Sequence, residues 1–237
     1  MKVKNKQAWV SVEDFSNSGQ AAESMLKKIK ATCGAPRPES SLDLFPAPGL
    51  LPGTLHIVCS VPGMGRSAYI LNLALELQAK GKNVAVFLTD CAADEFIFRA
   101  ICARGQVNAG SLCNRPLGEK AVKNLAAAVK SLARPGLYLH SHLWTDTYNI
   151  CEGARELAQK LKASGQSLDA VLIDSLNYLA KEEDYSAELQ YLRHLTEDIK
   201  TGLVCTFAMR ETPKMHNGYI NLADTRAAGL DEAYTDS

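Results

Sequence analysis

The chain has 237 residues, 46% of them hydrophobic, and its 26 Lys+Arg balance its 26 Asp+Glu to a net charge of zero. That composition fits one α/β domain with a sizeable core and a short appendage, and it excludes a globally basic nucleic-acid binder, so any such contact has to come from a local patch or from assembly. An aromatic content of 7% announces no stacking platform for single strands.

Taken from the N-terminus, Met1 to Lys6 is basic but lacks the apolar stretch of a secretory signal. Nowhere does the chain reach the run of about 20 apolar residues that a membrane span needs. Ser16 to Lys30 reads as one amphipathic helix, with Ala21, Ala22, Met25, Leu26 and Ile29 on one side. Cys33-Gly34-Ala35-Pro36-Arg37-Pro38 breaks it, and a turn-rich stretch runs to Pro52-Gly53. Residues 1–44 are expected to form an N-terminal extension of one short helix and a linker, ahead of a nucleotide-binding domain over 45–237.

From Leu55 onward, short apolar runs alternate with helical patterns. Strands are expected at Leu55–Cys59, Val84–Leu88, Leu137–His140, Ala170–Ile173 and Leu203–Phe207. The helices between and after them are expected at about 67–80, 92–104, 118–133, 146–164 and 186–200. Nearly all-apolar strands followed by helices point to a parallel sheet covered on both faces. Gly81-Lys82 and Thr201-Gly202 read as helix stops. No further strand is legible before Ser237.

The most informative stretch is Ser60-Val61-Pro62-Gly63-Met64-Gly65-Arg66-Ser67, between an expected strand and an expected helix. A phosphate-binding P-loop reads G-x-x-x-x-G-K-[ST] in that context. Gly65 and Ser67 fit, whereas Ser60 stands at the first Gly and Arg66 at the Lys. In such a loop Pro62, Gly63, Met64, Gly65, Arg66, Ser67 and Ala68 line the phosphates, and the Ser67 hydroxyl is placed for Mg²⁺. Arg66 keeps the charge but not the compact, mobile ammonium, so phosphate binding is expected to survive better than transfer. An ordinary strand–helix turn of small residues is the plain alternative.

Ala170-Val171-Leu172-Ile173-Asp174 is an apolar strand ending in a carboxylate. It suits Mg²⁺ ligation, directly or through water, or else a simple turn cap. Val86-Phe87-Leu88-Thr89-Asp90 ends the same way: Asp90 could polarise an attacking water, or cap the next helix. His140-Ser141-His142 puts two imidazoles on one strand face without a third ligand in view, and reads as a polar strand end. Lys120, Lys123, Lys130 and Arg134 read as solvated helix positions. Thr212 to Gly218, with Lys214, is a mildly basic loop that suits either DNA contact or plain surface. The seven cysteines, an odd number with no C-x-x-C spacing, read as reduced thiols of a cytosolic protein.

The order of these segments resembles the C-terminal, RecA-like ATPase domain of DnaB-type replicative helicases. The likeness runs from about 45 to 236. It is carried by Gly49-Leu50-Leu51-Pro52-Gly53, the loop Ser60–Ser67, Asn72-Leu73-Ala74, Phe87–Asp90 with Glu95 to Arg99, Asp174 with Asn177, and Asp224-Thr225-Arg226-Ala227-Ala228-Gly229 with Glu232. The resemblance implies a RecA-like P-loop NTPase fold, a mostly parallel twisted sheet with helices on both faces. It implies ATP and Mg²⁺ as cofactors, with Ser67 and Asp174 on the metal and Asp90 and Arg66 in the catalytic positions. Lys214 and Arg226 fall among its DNA-facing candidates. The implied partners are single-stranded DNA, further copies of the chain in a ring, or a replicative helicase, and no membrane. Four departures qualify this. Arg66 replaces the Lys, Asp90 stands for a Glu, and Ala208 or Met209 stands where a Gln senses the γ-phosphate. The family's later strands, with a basic finger that reaches the neighbouring subunit, would lie past Ser237. Together they imply an ATP-binding protein linked to DNA replication with weak or absent hydrolysis. The alternative is a non-catalytic module that binds or regulates a helicase or another replication partner.

Overall fold

A computed structural model of the chain describes residues 16–32, 52–114, 117–142, 145–179, 185–209, 222–228 and 230. The expected boundary between residues 44 and 45 lies outside the described residues, as does the Thr212–Gly218 loop.

The chain order is β1 (Ser16–Asn17), α1 (Ser18–Thr32), β2 (Leu55–Ser60), α2 (Arg66–Ala79), β3 (Val84–Leu88), α3 (Ala93–Gly105) and α4 (Ala109–Asn114). It continues with α5 (Glu119–Leu132), β4 (Leu137–Ser141), α6 (Thr147–Ala163), β5 (Ala170–Asp174), a 3-10 turn at Leu176–Tyr178, α7 (Ser186–Ile199), β6 (Gly202–Ala208) and α8 (Leu222–Ala227). Among the described residues these build one six-stranded sheet in the order β1-β4-β3-β5-β6-β2. β2 to β6 pair in parallel, and β1 joins β4 antiparallel, Ser16 facing Leu139.

Period-two alternation divides the core between the two sheet faces. Val84, Val86 and Leu88 of β3 point into one cluster with Ala170 and Leu172 of β5; helices α1, α2, α3 and α5 cover it through residues such as Met25, Ile70, Ile101 and Leu132. Ala85 and Phe87 point the other way, with Val171, Ile173 and Cys205, under α6 and α7. β3 and β5 are buried at every position, which is why they read as unbroken apolar runs.

Helix ends follow local chemistry. After α2, Gly81 takes φ 75°, its N–H reaches Gln78 O at 3.0 Å and that of Lys82 reaches Leu77 O at 3.0 Å, a Schellman stop at the expected place. The stop expected at Thr201-Gly202 comes earlier: Lys200 adopts φ 50°, and Gly202 already belongs to β6. The β6 pairing of Gly202 with Ala170 claims that glycine for the ladder, so the lysine takes the left-handed turn. At the N-terminus, Ser16 and Asn17 are taken by the β4 edge, and α1 starts at Ser18, whose hydroxyl donates to Leu132 O at 2.8 Å. Ala22 and Met25 of α1 are buried in the same cluster as α3 and α5.

Candidate functional site

Parallel pairing brings the carboxyl ends of β2, β3, β5 and β6 to one edge of the sheet, where Ser60 faces Ala208 and Leu88 faces Asp174. Ligands of open α/β sheets bind at such edges.

The loop between β2 and α2 turns on two glycines in the left-handed region, Gly63 at φ 85° and Gly65 at φ 86°. A β-carbon added at Gly63 would meet nothing within 4 Å, so the loop borders open space. Gly65 is the N-cap of α2, yet no side chain caps the helix and no acidic residue stands in its first turn. The first intrahelical bond is Tyr69 N–H to Gly65 O at 2.9 Å. The N–H groups of Arg66, Ser67 and Ala68 therefore have no intrahelical acceptor and sit at the positive end of a fourteen-residue helix. That donor set fits phosphate. Met64 stands at the tip with 63% of its surface exposed.

The two departures from the loop pattern touch each other. Nη1 of Arg66 donates to Ser60 O, Ser60 Oγ and Val61 O, each at 3.0 Å. Ser60 Oγ in turn donates to Val61 O at 3.0 Å. The serine that replaces a glycine thus supplies an acceptor for the arginine that replaces a lysine. The bonds to the loop all run from Nη1; a guanidinium carries further donors on Nε and Nη2 with which to meet an anion. The neighbouring Cys59 thiol is pushed up to about 11 by burial, against the pull of Arg66.

Asp174 ends β5 almost fully buried, with Oδ1 accepting the Thr206 hydroxyl of β6 at 2.6 Å. It caps no helix; the 3-10 turn behind it is capped by Ser175, whose Oγ accepts from Asn177 N–H at 3.3 Å. A buried carboxylate held at one oxygen keeps the other for a cation, which suits hard Mg²⁺. Thr89 fastens β3 to this corner. Its N–H donates to Asp174 O at 2.8 Å, its hydroxyl donates to Ser175 O at 2.8 Å, and its Oγ1 accepts Ser175 N–H at 2.6 Å. The Asp174–Ser175 peptide is cis.

Asp90 follows directly. It does not cap α3, whose N-cap is Ala92 with no side-chain bond. Desolvation by the surrounding protein raises its carboxyl above the ordinary value of 3.8, and the Asp174 charge raises it further, while Arg99 opposes both. A carboxylate of raised basicity beside a metal-type carboxylate is the arrangement a general base needs. Cys91, beside it, is pushed up to about 12 by burial and by Asp90, which leaves it an inert thiol.

The structure thus gathers Gly63, Gly65, Arg66, Ser67, Asp90 and Asp174 at one sheet edge. Arg226 is exposed on α8, and Lys214 lies outside the described residues. His140 is buried, its ring 5.5 Å from Phe87 and 6.1 Å from His142. Lys120, Lys123, Lys130 and Arg134 are exposed on or just beyond α5. Sequence reasoning passed over Thr206 and Thr89. Thr206 carried a signal, being the polar residue inside the apolar run Leu203–Phe207. Asn177 enters the sequence reading only beside Asp174 in the family resemblance; its amide bonds the end of β6.

Comparison with known proteins bears on the family and the fold. The family described as DnaB-like helicase C terminal domain matches residues 40–205. The replicative DNA helicase DnaC of Bacillus subtilis is 28% identical over 178 residues, covering 74% of this chain and 38% of that protein. The replicative DNA helicase DnaB of Geobacillus stearothermophilus is 24% identical over 213 residues, covering 86% of this chain and 46% of that protein. The chain therefore spans less than half the length of these relatives. Among solved structures, a DnaB-like replicative helicase studied with primase superposes with a TM-score of 0.71 at 19% identity, over 79% of this chain and 46% of that one. A second solved structure, an isolated ATPase domain, gives 0.71 at 18% identity, over 92% of this chain and 80% of that one. The family match runs over most of the chain, residues 40–205, and the parallel sheet is that of the two solved structures: this chain belongs to the DnaB-like helicase C-terminal domain family.

Proposed function

We propose that the chain is an ATP-binding module linked to DNA replication, with weak or absent hydrolysis. The observation that carries this is the uncapped N-terminus of α2, opened by Gly63 and Gly65, at the same sheet edge as the buried Asp174 carboxylate. Backbone N–H groups of Arg66, Ser67 and Ala68 would hold the phosphates, and Ser67 and Asp174 would hold Mg²⁺. Bound Mg²⁺ would neutralise phosphate charge. Arg66 would meet the β- and γ-oxygens from a position already tied to the loop, and Asp90 would orient and deprotonate a water.

Two features speak for slow turnover. Arg66 is anchored through Nη1 and cannot follow a moving γ-phosphoryl as a lysine does. At the end of β6, where the resemblance puts a sensing Gln, stands Ala208 or Met209, neither of which carries an amide side chain. That second feature also favours the other reading, a non-catalytic module that engages a replicative helicase, a primase-type partner or further copies of itself. Single-stranded DNA would then be met through exposed cations such as Arg226, and through Lys214.

The test is ATP binding and Mg²⁺-dependent phosphate release on one sample, with and without single-stranded DNA, beside Arg66→Lys. Saturable binding with little release, raised by Arg66→Lys, is expected. No binding by either protein would overturn the nucleotide reading. Fast release by the native chain would overturn the slow-turnover part.

A further inference from the structure

The Asn177 side chain stands where a strand would have to be. β5 ends at Asp174, and its last paired residue on the β6 side, Ile173, faces Cys205. β6 runs on to Ala208, past the end of its neighbour. The exposed side of that overhang is filled by a carboxamide: Nδ2 of Asn177 donates to Ala208 O at 2.8 Å, and Ala208 N–H donates to Asn177 Oδ1 at 2.5 Å. A carboxamide carries the same donor and acceptor as a peptide group, so one side chain completes the ladder that β5 abandons. The amide is itself oriented, because Ser175 Oγ donates to Asn177 Oδ1 at 2.8 Å.

On its other side the same strand end grips the loop. Met209 N–H donates to Ser60 O at 3.0 Å, and Ser60 O also accepts Nη1 of Arg66 at 3.0 Å. A chain of short contacts therefore runs from the turn after Asp174, through Asn177, Ala208 and Met209, to Ser60 and Arg66. It joins the metal-type corner to the phosphate-type loop and ends on Arg66, the residue proposed to meet the phosphates.

We propose that Asn177 is a positioning residue for Arg66: by holding the end of β6 it sets where Ser60, and so the guanidinium, stands. This deepens the nucleotide reading above and rests on it for its effect on affinity, though not for the mechanical link itself. If β6 is released at Ala208, Met209 no longer fixes the Ser60 carbonyl, and Arg66 loses the frame that aims its remaining donors.

Two measurements test the link. The first is amide hydrogen exchange in nucleotide-free protein, comparing the native chain with Asn177→Asp. The aspartate is isosteric and keeps the acceptor for Ala208 N–H, but it sets an oxygen against Ala208 O. Faster exchange is expected at 208–209 and across 60–66, with α6 and the β3 core unchanged. Acceleration confined to 208–209 would overturn the inference. The second is affinity for a fluorescent ATP analogue with Mg²⁺ in a cycle of Asn177→Ala and Arg66→Ala. Asn177→Ala is expected to weaken binding about tenfold in the native background and less than about twofold when Arg66 is already gone. Equal losses in both backgrounds would mean that Asn177 is merely structural, and would refute the proposal. Ser175→Ala, which frees the amide without removing it, should show a smaller effect of the same sign in both assays. If the native chain binds no nucleotide, the functional reading falls, and the exchange experiment alone decides the positioning inference.

Discussion

Replacing Thr206 with Val tests how the buried Asp174 carboxylate is held. Thr206 is 0% and Asp174 2% exposed, and their hydrogen bond measures 2.6 Å. Val has nearly the same shape, so no cavity opens; what is lost is one donor to a charged, desolvated acceptor. Hydrogen bonds to charged groups contribute roughly 1.5–3 kcal/mol, and the valine leaves the buried Asp174 Oδ1 without its Thr206 donor. We expect a loss of about 2 kcal/mol, which for a chain of this size lowers the thermal midpoint by about 4–8 °C. The assay is thermal and urea unfolding followed by circular dichroism, repeated with Mg²⁺ and ATP. A cation on Asp174 should restore part of the loss, so the ligand-induced rise in midpoint should be larger in the variant. In an Asp174→Asn background the acceptor is neutral, and Thr206→Val should cost only about 1 kcal/mol. A shift below about 1 °C in the native background, or equal costs in both backgrounds, would refute the idea that Thr206 stabilises a buried negative charge.

Asp90→Asn should stabilise the protein at neutral pH. Its carboxyl is raised above 3.8 in the fold, so the folded state holds its proton longer than the unfolded state, and stability falls as pH rises through that window. The amide removes the penalty, and its advantage in urea midpoint should shrink as pH drops below 3.8; an advantage that grows on acidification would reverse the sign argument. Gly136→Ala should cost more than Gly81→Ala. Both have positive φ, but an added β-carbon at Gly136 would lie 2.7 Å from the Lys82 carbonyl oxygen while that at Gly81 meets nothing within 4 Å. About 1 kcal/mol is expected at Gly81 from backbone strain alone and clearly more at Gly136, read from urea midpoints. Met25→Ala, which removes a buried side chain between α1 and its neighbours, should cost about 2–3 kcal/mol; a cost near zero would mean that α1 contributes nothing to the core.

Much of the fold was legible because its central strands are buried on both sides. Val84–Leu88 is apolar at every position and appears as a strand with the bounds expected. The glycine stop at Gly81 was equally plain, since a left-handed residue after an apolar helix has one common solution. What escaped lies in elements defined by distant partners. β1 is two polar residues, Ser16 and Asn17, with no strand pattern of their own, and it exists because the β4 edge offers hydrogen bonds. Periodicity extends a helix into them; pairing takes them back. α4, six residues long, is too short for a helical period to register.

The site divides the same way. Gly63, Gly65, Ser67 and Asp174 declare themselves by residue type and spacing. Ser60 and Arg66 read in sequence as two separate losses, and only their contact shows that one accommodates the other. The link from Asn177 to β6 could not be read from sequence, because its partner there, Ala208, is an alanine whose backbone does the bonding.

The sheet order carries a consequence for how the chain is made. Leu55 of the loop-bearing strand pairs with Leu203, and Ser16 of β1 pairs with Leu139. Both early strands are thus synthesised long before the residues they pair with. The central β3–β4–β5 region can close while the chain is still emerging, but β2 must wait for β6, and with it Ser60 and the loop that follows. Such distant pairings are slow because a long loop has to be closed before any contact rewards it. The phosphate-type cradle is therefore among the last features to take shape, and a nascent chain cut short before β6 would carry every residue of the loop without its geometry.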